Sequence, residues 1–404
     1  MSNYTNREGS PWRIAFRRFF ANRLSLASSL FVGFIALIAI LGYVVSPDST
    51  PWANNQHLEL ATRNPGFKGT FFLLPRDADN SKSNLFKTLI WGKQNSYREI
   101  PINNFRLEDW SVVLTEHTEP EDSLIIESKY SVIEILFPKI PIESIALLGD
   151  TLVINYEGKE IIYSAVDIER IISQKHIKNR RFLLGTDRFG RDMLSRLIIG
   201  ARVSLSVGFI AVAISLLIGI TLGATAGYIR GWYDDVVMWL VNVVWSIPTL
   251  LMVIALTMVL GKGFWQIFVA VGLTMWVEVA RVVRGQVMSL REKEFVEAAK
   301  VMGFNSRRII FQHILPNVLG PVVIISAGNF ATAILLEAGL SFLGIGVQPP
   351  IPSWGTMIKD HYGYIIMDKA FLAILPGVAI MLLVLAFTLI GNGLRDALDT
   401  KEQA

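Results

Sequence analysis

Six stretches of this chain run for most of a membrane's thickness without a charged side chain. They cover residues 24–45, 204–229, 236–261, 263–277, 319–336 and 370–394. About 20 apolar residues in a helix cross roughly 30 Å of hydrocarbon, and a helix satisfies its backbone hydrogen bonds internally. Hydrophobic residues make up 52% of the chain and charged residues only 18%. The pattern predicts an all-α polytopic membrane protein with six transmembrane helices.

The fourth stretch is short, and we expect its helix to continue past Glu278 to residue 280. The first, 24–45, is too long for the apolar part of a signal peptide and predicts a retained first transmembrane helix. Residues 1–23 predict a cytoplasmic amphipathic segment, with a helix on the membrane surface at 11–22 and a disordered tail at 1–10. Its two faces are aromatic (Trp12, Phe16, Phe19, Phe20) and basic (Arg13, Arg17, Arg18).

Basic residues near the span ends predict the orientation, because cytoplasmic loops of membrane proteins are enriched in Lys and Arg. Residues 1–23 and the loop 281–318 both carry more basic than acidic side chains. With six spans, these segments and the tail 399–404 share the cytoplasmic side. The net charge of +4 follows from this bias. It does not indicate nucleic-acid binding, since no basic stripe is interleaved with aromatic side chains outside the membrane flanks.

Residues 46–181 then form an extracytoplasmic insertion between the first two spans. Alternating residues at 123–137 and 151–165 predict strands, with a hairpin turn at Glu157 and Gly158, so we expect a β-rich or mixed α/β domain. No catalytic constellation stands out in it. The five histidines of the chain share no metal-ligand spacing, and the chain has no cysteine, so we predict no catalytic residues, no metal site and no cofactor.

The cytoplasmic loop 281–318 predicts a rigid helical knob. Phe295, Ala298, Ala299 and Met302 follow the spacing i, i+3, i+4, i+7, which places a small apolar face on one helix. A membrane protein that presents such a knob offers a docking surface to a partner. An ordinary amphipathic re-entry loop is the alternative.

The end of that helix and the start of the next also have local signals. Gly303 stands where a helix end favours a left-handed residue, and Asn305 and Ser306 can cap a second short helix. Pro316 is expected to end it.

The residues before the second span predict a capped turn. Leu184 begins the run Leu-Gly-Thr-Asp-Arg-Phe-Gly-Arg-Asp, which ends at Asp192. A phosphate cradle is the alternative, but the spacing is not that of a P-loop and no Lys-Ser/Thr follows. Residues 193–201 then predict an amphipathic helix on the outer membrane surface.

Three segments of the chain, 297–316, 184–192 and 337–355, together resemble motifs of a known family. The spacing Glu-Ala-Ala, three residues, Gly, then Leu-Pro at 297–316 resembles the EAA loop of ABC importer permeases. The run 184–192, the Gly-Ala-Arg-Val-Ser at 200–204 and the segment 337–355 are similar to the dipeptide/oligopeptide/nickel branch, specifically its second, C-type permease subunit. The resemblance covers about 12–45 and 182–398 and leaves out the insertion.

This resemblance implies the type I importer permease fold for a core at 182–398. It also implies an ATPase-coupling role for Glu297, Ala298, Ala299, Gly303, Arg307, Leu315 and Pro316. The family motif on the outer side comprises Gly185, Thr186, Asp187, Gly190, Arg191 and Asp192. The family motif after the fifth helix comprises Glu337, Ser341, Phe342, Gly344, Pro349, Pro350, Ser353, Trp354 and Gly355.

One departure from the family lies in the third span. The family pattern is Met-Arg-x-x-Asp, and this chain has Trp239 and Asn242 in place of the charged pair. Loss of both charges avoids an unpaired charge near the membrane, so the departure affects only the role of that pair. We expect the small residues Gly219, Gly223 and Gly227 to serve helix packing rather than solute contact.

These features predict a permease subunit of an ATP-driven importer for peptides or related solutes, and not an enzyme. The chain has no Walker A sequence and no cluster of acids and bases in its spans, so its energy must come from partners. The resemblance implies a homologous second permease, two ATPase subunits that bind ATP and Mg, an extracytoplasmic solute-binding protein and a bacterial cytoplasmic membrane. The alternatives are a membrane-anchored receptor that uses the insertion as its sensor, and a membrane enzyme with an external active site.

Overall fold

The computed structural model describes residues 11–76, 84–118, 125–137, 144–148, 151–156, 159–261 and 263–398. It divides into a helical unit, made of Met1–Leu41 and Leu197–Ala404, and an insertion unit, Gly42–Arg196. The predicted tails at 1–10 and 399–404 and the predicted turn at 157–158 lie outside the described residues.

The helices of the described residues follow in chain order. They are α1 (Pro11–Ala21), α2 (Arg23–Ile40), α3 (Gly42–Val45), α4 (Leu85–Trp91), α5 (Val132–Leu136), α6 (Ala165–Lys175), α7 (Met193–Ile229), α8 (Trp232–Trp245), α9 (Thr249–Leu260), α10 (Phe264–Arg291), α11 (Glu294–Val301), α12 (Ser306–Arg308), α13 (Leu315–Phe342), α14 (Trp354–His361) and α15 (Phe371–Leu398). The strands are β1 (Phe67–Pro75), β2 (Tyr97–Glu108), β3 (Ser111–Glu116), β4 (Glu127–Ser131), β5 (Ile145–Leu148), β6 (Thr151–Tyr156), β7 (Lys159–Ser164) and β8 (Ile177–Phe182).

The helical unit is built around α7 and α10. Both contribute to each of three buried apolar clusters, which also include residues of α8, α9, α11 and α13. Three glycines of α7 allow this close approach. A Cβ at Gly219 would lie 2.5 Å from Val279 Cβ, and one at Gly227 would lie 2.7 Å from the carbonyl oxygen of Arg284. These glycines pack against α10, as expected.

Among the described residues, five helices are long and apolar enough to cross a membrane. They are α2, α7, α10, the continuous run Ser306–Phe342 that contains α13, and α15. A sixth crossing requires α8 and α9 to form one span, although they meet at 94°. The third span predicted at 236–261 corresponds to this bent pair, and its single crossing of the membrane stays a prediction. Pro248, which precedes α9, has no N–H to continue the helical hydrogen bonds.

Several helix bounds also differ from the prediction. The predicted surface helix at 193–201 is wrong as a separate element, because α7 runs on without a break for 37 residues. The fourth, fifth and sixth predicted spans correspond to longer helices, α10, α13 and α15. The ends of these helices contain polar residues. A hydropathy criterion excludes such residues from a span, but they can still be part of the helix.

The N-terminal amphipathic helix is present as α1, and one face of it packs on α15. Ala15 and Phe19 are buried, whereas Phe16 and Phe20 are half exposed. Asn22 separates α1 from α2 by capping α2 with its side chain, which accepts from the N–H groups of Leu24 and Ser25.

The insertion unit contains two antiparallel sheets, ordered β4-β3-β2-β1-β8 and β5-β6-β7. One apolar core joins residues of both sheets with α5 and α6. The interior strand β1 is buried on both faces, because Phe72 enters this core and Phe71 packs with Leu60 and Phe182 on the other side. The β-rich or mixed character of the insertion is thus observed in the described residues.

The two predicted strands of the insertion have different outcomes. The prediction for 151–165 is confirmed in part, since β6 and β7 pair antiparallel on either side of 157–158. The prediction for 123–137 is wrong beyond β4, because Ser131 caps a helical turn, α5, by accepting from the N–H of Ile133. Val132 and Ile135 of that turn are buried in the core, so tertiary packing overrides the alternation.

Candidate functional site

The helical knob predicted at 281–318 is present, but its exposed face differs from the predicted one. In α11, Val296 and Ala299 are buried and join the cluster with α7, α10 and α13. Ala298 is exposed beside Phe295 and Met302, which are 42% and 63% exposed. The predicted apolar face therefore divides: Ala299 holds the helix to the bundle, and its neighbours face solvent.

The end of α11 has the full hydrogen-bond pattern of a Schellman motif. Gly303 has φ +79°, as expected for the left-handed residue after a helix. Its N–H donates to the carbonyl of Lys300 at 2.9 Å, and the N–H of Phe304 donates to the carbonyl of Ala299 at 3.2 Å. This pair of bonds closes the helix end and directs the chain sharply into the next turn.

The second part of the loop is helical but does not end at Pro316. The Asn305 side chain caps α12 by accepting from the N–H of Arg308 at 2.9 Å, which confirms the predicted cap. A π-helical turn, Ile309–Ile314, then leads into α13. The N–H of Leu315 donates to the carbonyl of Ile310, five residues back. The wider turn makes room for the proline ring, so the predicted break is wrong.

The remaining residues that the resemblance implies for ATPase coupling divide between the surface and the bundle. Arg307 and Pro316 are exposed, and Leu315 packs partly against the buried cluster of α11 and α13. Arg308 lies over the ring of Phe304, with its guanidinium carbon 4.0 Å from the ring centroid, and that ring stacks on His313 at 5.7 Å. This stack gives the loop a second fixed point besides α11.

The outer motif 185–192 forms a tight turn in the insertion unit. The chain at 57–65 passes so close to it that a side chain at Gly185 or Gly190 would overlap the backbone of Arg63 or His57. The hydroxyl of Thr186 donates to the carbonyl of Leu60 and accepts from the N–H of Arg63. Backbone bonds join the same two segments, so both glycines are required by close approach and by their positive φ.

Three charged residues of this motif, Asp187, Arg191 and Asp192, are buried and hydrogen-bonded. Arg191 Nε donates to Asp187 Oδ2 at 2.6 Å, and Arg196 Nε lies 3.5 Å from the same oxygen. Asp192 caps the start of α7 by accepting from the backbone N–H and the hydroxyl of Ser195. Burial raises the pKa of the Asp192 carboxyl, and the bonds from Ser195 oppose that shift. The predicted capped turn is confirmed.

A second charged cluster of the insertion unit was not predicted. Glu99, on β2, lies 3.0 Å from Arg180 Nη2 on β8 and 3.6 Å from His57 Nε2, and it accepts from the side chain of Asn55 at 2.8 Å. Burial would raise the pKa of Glu99, but His57 and the charges of Arg180 and Lys178 outweigh burial and lower it. These residues are far apart in sequence, so no spacing indicated them.

The third motif, 337–355, forms a buried network of hydrogen bonds at the end of α13. The Ser341 hydroxyl donates to Glu337 Oε1 at 2.6 Å and accepts from the N–H of Val347 at 3.2 Å. Ser353 caps α14 in a reciprocal arrangement with Thr356 and lies 3.3 Å from Ser341. This network holds the segment after α13 against α13 itself. Glu337, Ser341 and Phe342 lie inside α13, so their predicted position after the fifth helix is wrong.

Tryptophan and glycine complete this packing. Trp354 Nε1 donates to the carbonyl of Leu197 at 2.9 Å, and a Cβ at Gly355 would lie 2.6 Å from the carbonyl oxygen of Ala338. Gly344 has φ +79° and ends α13. Phe342 is 43% exposed, and the prolines Pro349 and Pro350 are exposed.

Pairing near the third span differs from the family pattern but is not lost. Asp234, on α8, accepts two hydrogen bonds from Arg284 of α10, at 2.5 and 2.6 Å. Arg281 donates to Asn242 at 3.1 Å, and its guanidinium carbon lies 3.6 Å from the centroid of the Trp245 ring. A neutral amide and an aromatic face therefore accommodate this arginine.

Known proteins are similar to this chain in sequence. A family model described as "Binding-protein-dependent transport system inner membrane component" matches residues 219–403, and one described as "N-terminal TM domain of oligopeptide transport permease C" matches residues 10–64. The dipeptide transport system permease protein DppC of Alkalihalophilus pseudofirmus is 45% identical over 54% of this chain and 71% of its own length.

The chain belongs to the binding-protein-dependent ABC importer permeases. A glutathione transport permease, GsiD of Pectobacterium atrosepticum, is 41% identical over 54% of this permease and 72% of its own length. The oligopeptide permease OppC of Bacillus subtilis is 41% identical over 54% and 71%. A solved structure, the inward-facing methionine ABC transporter MetNI, covers 51% of this chain and 97% of its own at 19% identity, with a TM-score of 0.43.

The permease is a membrane transport component and not an enzyme, and members of its family work with separate ATPase subunits. Within the described residues, no three His, Cys, Asp or Glu side chains come together as metal ligands would.

The outer motif lies in the insertion unit, and the other two motifs lie in the helical unit. Pro316 and Glu337 are about 32 Å apart along the helical axis, at a rise of 1.5 Å per residue.

Proposed function

We propose that this permease forms one half of the translocation pathway of an importer for peptides or related solutes, and that α11 docks into its ATPase subunit. The exposed residues of α11, which surround Ala298, carry this proposal. The buried face of α11 and the Schellman motif at its end fix these residues to the helical bundle. A docked partner can therefore move the whole bundle rather than only a loop. The peptide class rests on the names of the relatives.

The proposed assembly has four kinds of partner. A homologous second permease completes the pathway, two ATPase subunits bind ATP and Mg, and an extracytoplasmic binding protein delivers the solute. The lipid bilayer of a bacterial cytoplasmic membrane surrounds the permease, with both termini in the cytoplasm. ATP binding closes the ATPases and moves α11, which shifts the helical unit between two states. The chain itself holds no cofactor in this scheme.

A charge reversal on α11 tests the docking. Glu297 is exposed in α11, so Glu297→Lys leaves the fold intact. It reverses the charge that α11 presents to the ATPase subunit, and this reversal opposes docking. We expect normal membrane insertion, and a loss of about tenfold or more in ATPase co-purification and in transport-coupled hydrolysis. The matched control is Asp396→Lys at an exposed position of α15. Normal coupling in Glu297→Lys would overturn the proposal.

A further inference from the structure

The helical unit contains a pocket at the bend between α8 and α9. About 480 Å³ of space, part of it open to solvent, lies between the bend, α10 and α13. Trp245 and Thr249 line it from the two sides of the bend, Thr274 and Glu278 from α10, and Thr332 from α13. Broken helices at membrane depth are tolerated where they line a cavity, and transporters use them to build solute sites.

Glu278 is the ionisable residue of this lining. It lies about 21 Å along α10 from Phe264, at a rise of 1.5 Å per residue, close to the end of the fourth predicted span at residue 280. Glu278 is an exposed residue in the isolated chain, and no hydrogen bond or ion pair reaches its carboxylate from the described residues. Nearby Arg281 and Arg284 already bond to Asn242 and Asp234. An ionisable side chain that lines a cavity between membrane helices is a candidate binding group for a solute of opposite charge.

The hydroxyl groups of the pocket are also oriented to accept hydrogen bonds. Thr274 donates its proton to the carbonyl of Val271 at 2.8 Å, and Thr332 donates to the carbonyl of Gly328 at 3.1 Å. A hydroxyl that has donated its proton offers only lone pairs. Glu278, Thr274 and Thr332 therefore present acceptors to the same space, and the complementary group is a donor-only cation such as a primary ammonium.

We propose that this pocket binds the ammonium group of the translocated solute, with Glu278 as its counter-charge. The solute class is a small peptide with a free amino terminus or another primary amine. The proposal rests on the proposed import function, because it names the solute group recognised along that pathway. It assigns to Glu278 a binding role and no chemistry.

Uptake measurements with the reconstituted importer test the solute. Glu278→Gln keeps the size of the side chain and removes its charge. We expect the variant to take up a mixture of di- to hexapeptides with free amino termini about tenfold less well than the native protein, and to treat their N-acetylated counterparts as the native protein does. Unchanged uptake of the free peptides, or an equal loss for both sets, would overturn the proposal.

A labelling experiment tests the pocket independently of peptide transport. The chain has no cysteine, so Thr332→Cys places a single thiol in the pocket of the purified permease. The cationic reagent aminoethyl methanethiosulfonate should modify it several-fold faster than the anionic sulfonatoethyl reagent, and Glu278→Gln should remove this preference. If the preference is present and peptides are not taken up, the proposed function fails but the cation site stands. Equal rates in the native background would refute the site.

Discussion

At the scale of single residues, burial decides which of two neighbouring side chains is available to a partner. Ala298 and Ala299 are adjacent in sequence and chemically identical, yet Ala298 is exposed and Ala299 is 1% exposed. Successive residues of a helix point about 100° apart, so a cluster that holds one must leave the other outside. Substitutions at these two positions therefore report on different properties, the proposed docking for Ala298 and folding for Ala299.

Glu99 of the insertion unit illustrates a buried ion pair. Replacing it with Gln leaves Arg180, which is 12% exposed, without its carboxylate. Loss of one partner of a buried pair costs about 3 kcal/mol, which corresponds to a fall of about 6–12 °C in the unfolding midpoint. The measurement is thermal unfolding of the detergent-solubilised protein, followed by a probe in the insertion unit. Glu127→Gln, in an exposed pair with Arg106, should change little.

The same variant has a defined pH dependence. Because the folded-state pKa of Glu99 lies below its ordinary value of 4.5, its stabilising effect is complete above that pH. It is lost as the pH falls through the folded-state pKa. The difference in midpoint between the native protein and Glu99→Gln should therefore be constant near neutrality and shrink below about pH 4.5. A difference that grows on acidification would contradict this account.

At the scale of elements, the contact between α7 and α10 depends on absent side chains. A Cβ at Gly223 would overlap the backbone of Ala280, and membrane helices that approach this closely use small residues at the interface. The hydrophobic effect adds little between helices in lipid, so the fit of the two backbones carries the association. The bend between α8 and α9 is a second feature at this scale. The helix ends that meet at the bend line the pocket around Glu278.

Gly223→Val should therefore separate α7 from α10. Overpacking a close contact costs about 1–3 kcal/mol or more, and we expect less folded protein in the monodisperse peak on size-exclusion chromatography and a lower unfolding midpoint. Gly33→Val, in α2, is the matched control because nothing lies within 4 Å of a Cβ built at Gly33. Equal behaviour of the two variants would show that the α7–α10 contact does not limit stability.

At the scale of the whole molecule, the chain combines a helical unit with an insertion unit that has its own core. The insertion begins and ends together, because β1 pairs with β8 and the segment 57–65 packs on the motif 185–192. The first and last parts of an insertion of more than 100 residues thus lie side by side within their own unit. The orientation of the whole chain remains a prediction from the arginines near the span ends.

Single cysteines test that orientation cleanly in a chain that has none. Asn155, on β6, and Ser306, at the start of α12, are both exposed. A membrane-impermeant maleimide should label Asn155→Cys in intact spheroplasts, and it should label Ser306→Cys only after permeabilisation. Exposure of both side chains makes them equally reactive controls for each other. The reverse pattern would place the insertion in the cytoplasm and overturn the assignment of sides.

Local signals in the sequence determined much of this protein. The apolar runs predicted the membrane helices, Gly303 and Asn305 predicted a helix end and a cap, and the three motifs predicted the family. Such features depend on hydropathy and on hydrogen bonds within a few residues, which a sequence shows directly. The β-pairing of 151–165 was accessible for the same reason.

Only the tertiary structure decided the rest, because it depends on segments far apart in the chain. The π turn carries the helix past Pro316, the buried cluster selects Ala299 over Ala298, and the packing of α7 against α10 explains the glycines. The Glu99 cluster joins residues from 55 to 180, and the pocket at Glu278 requires α8, α9, α10 and α13 together. Close approach in space has no signature in spacing along the chain, so these features required coordinates.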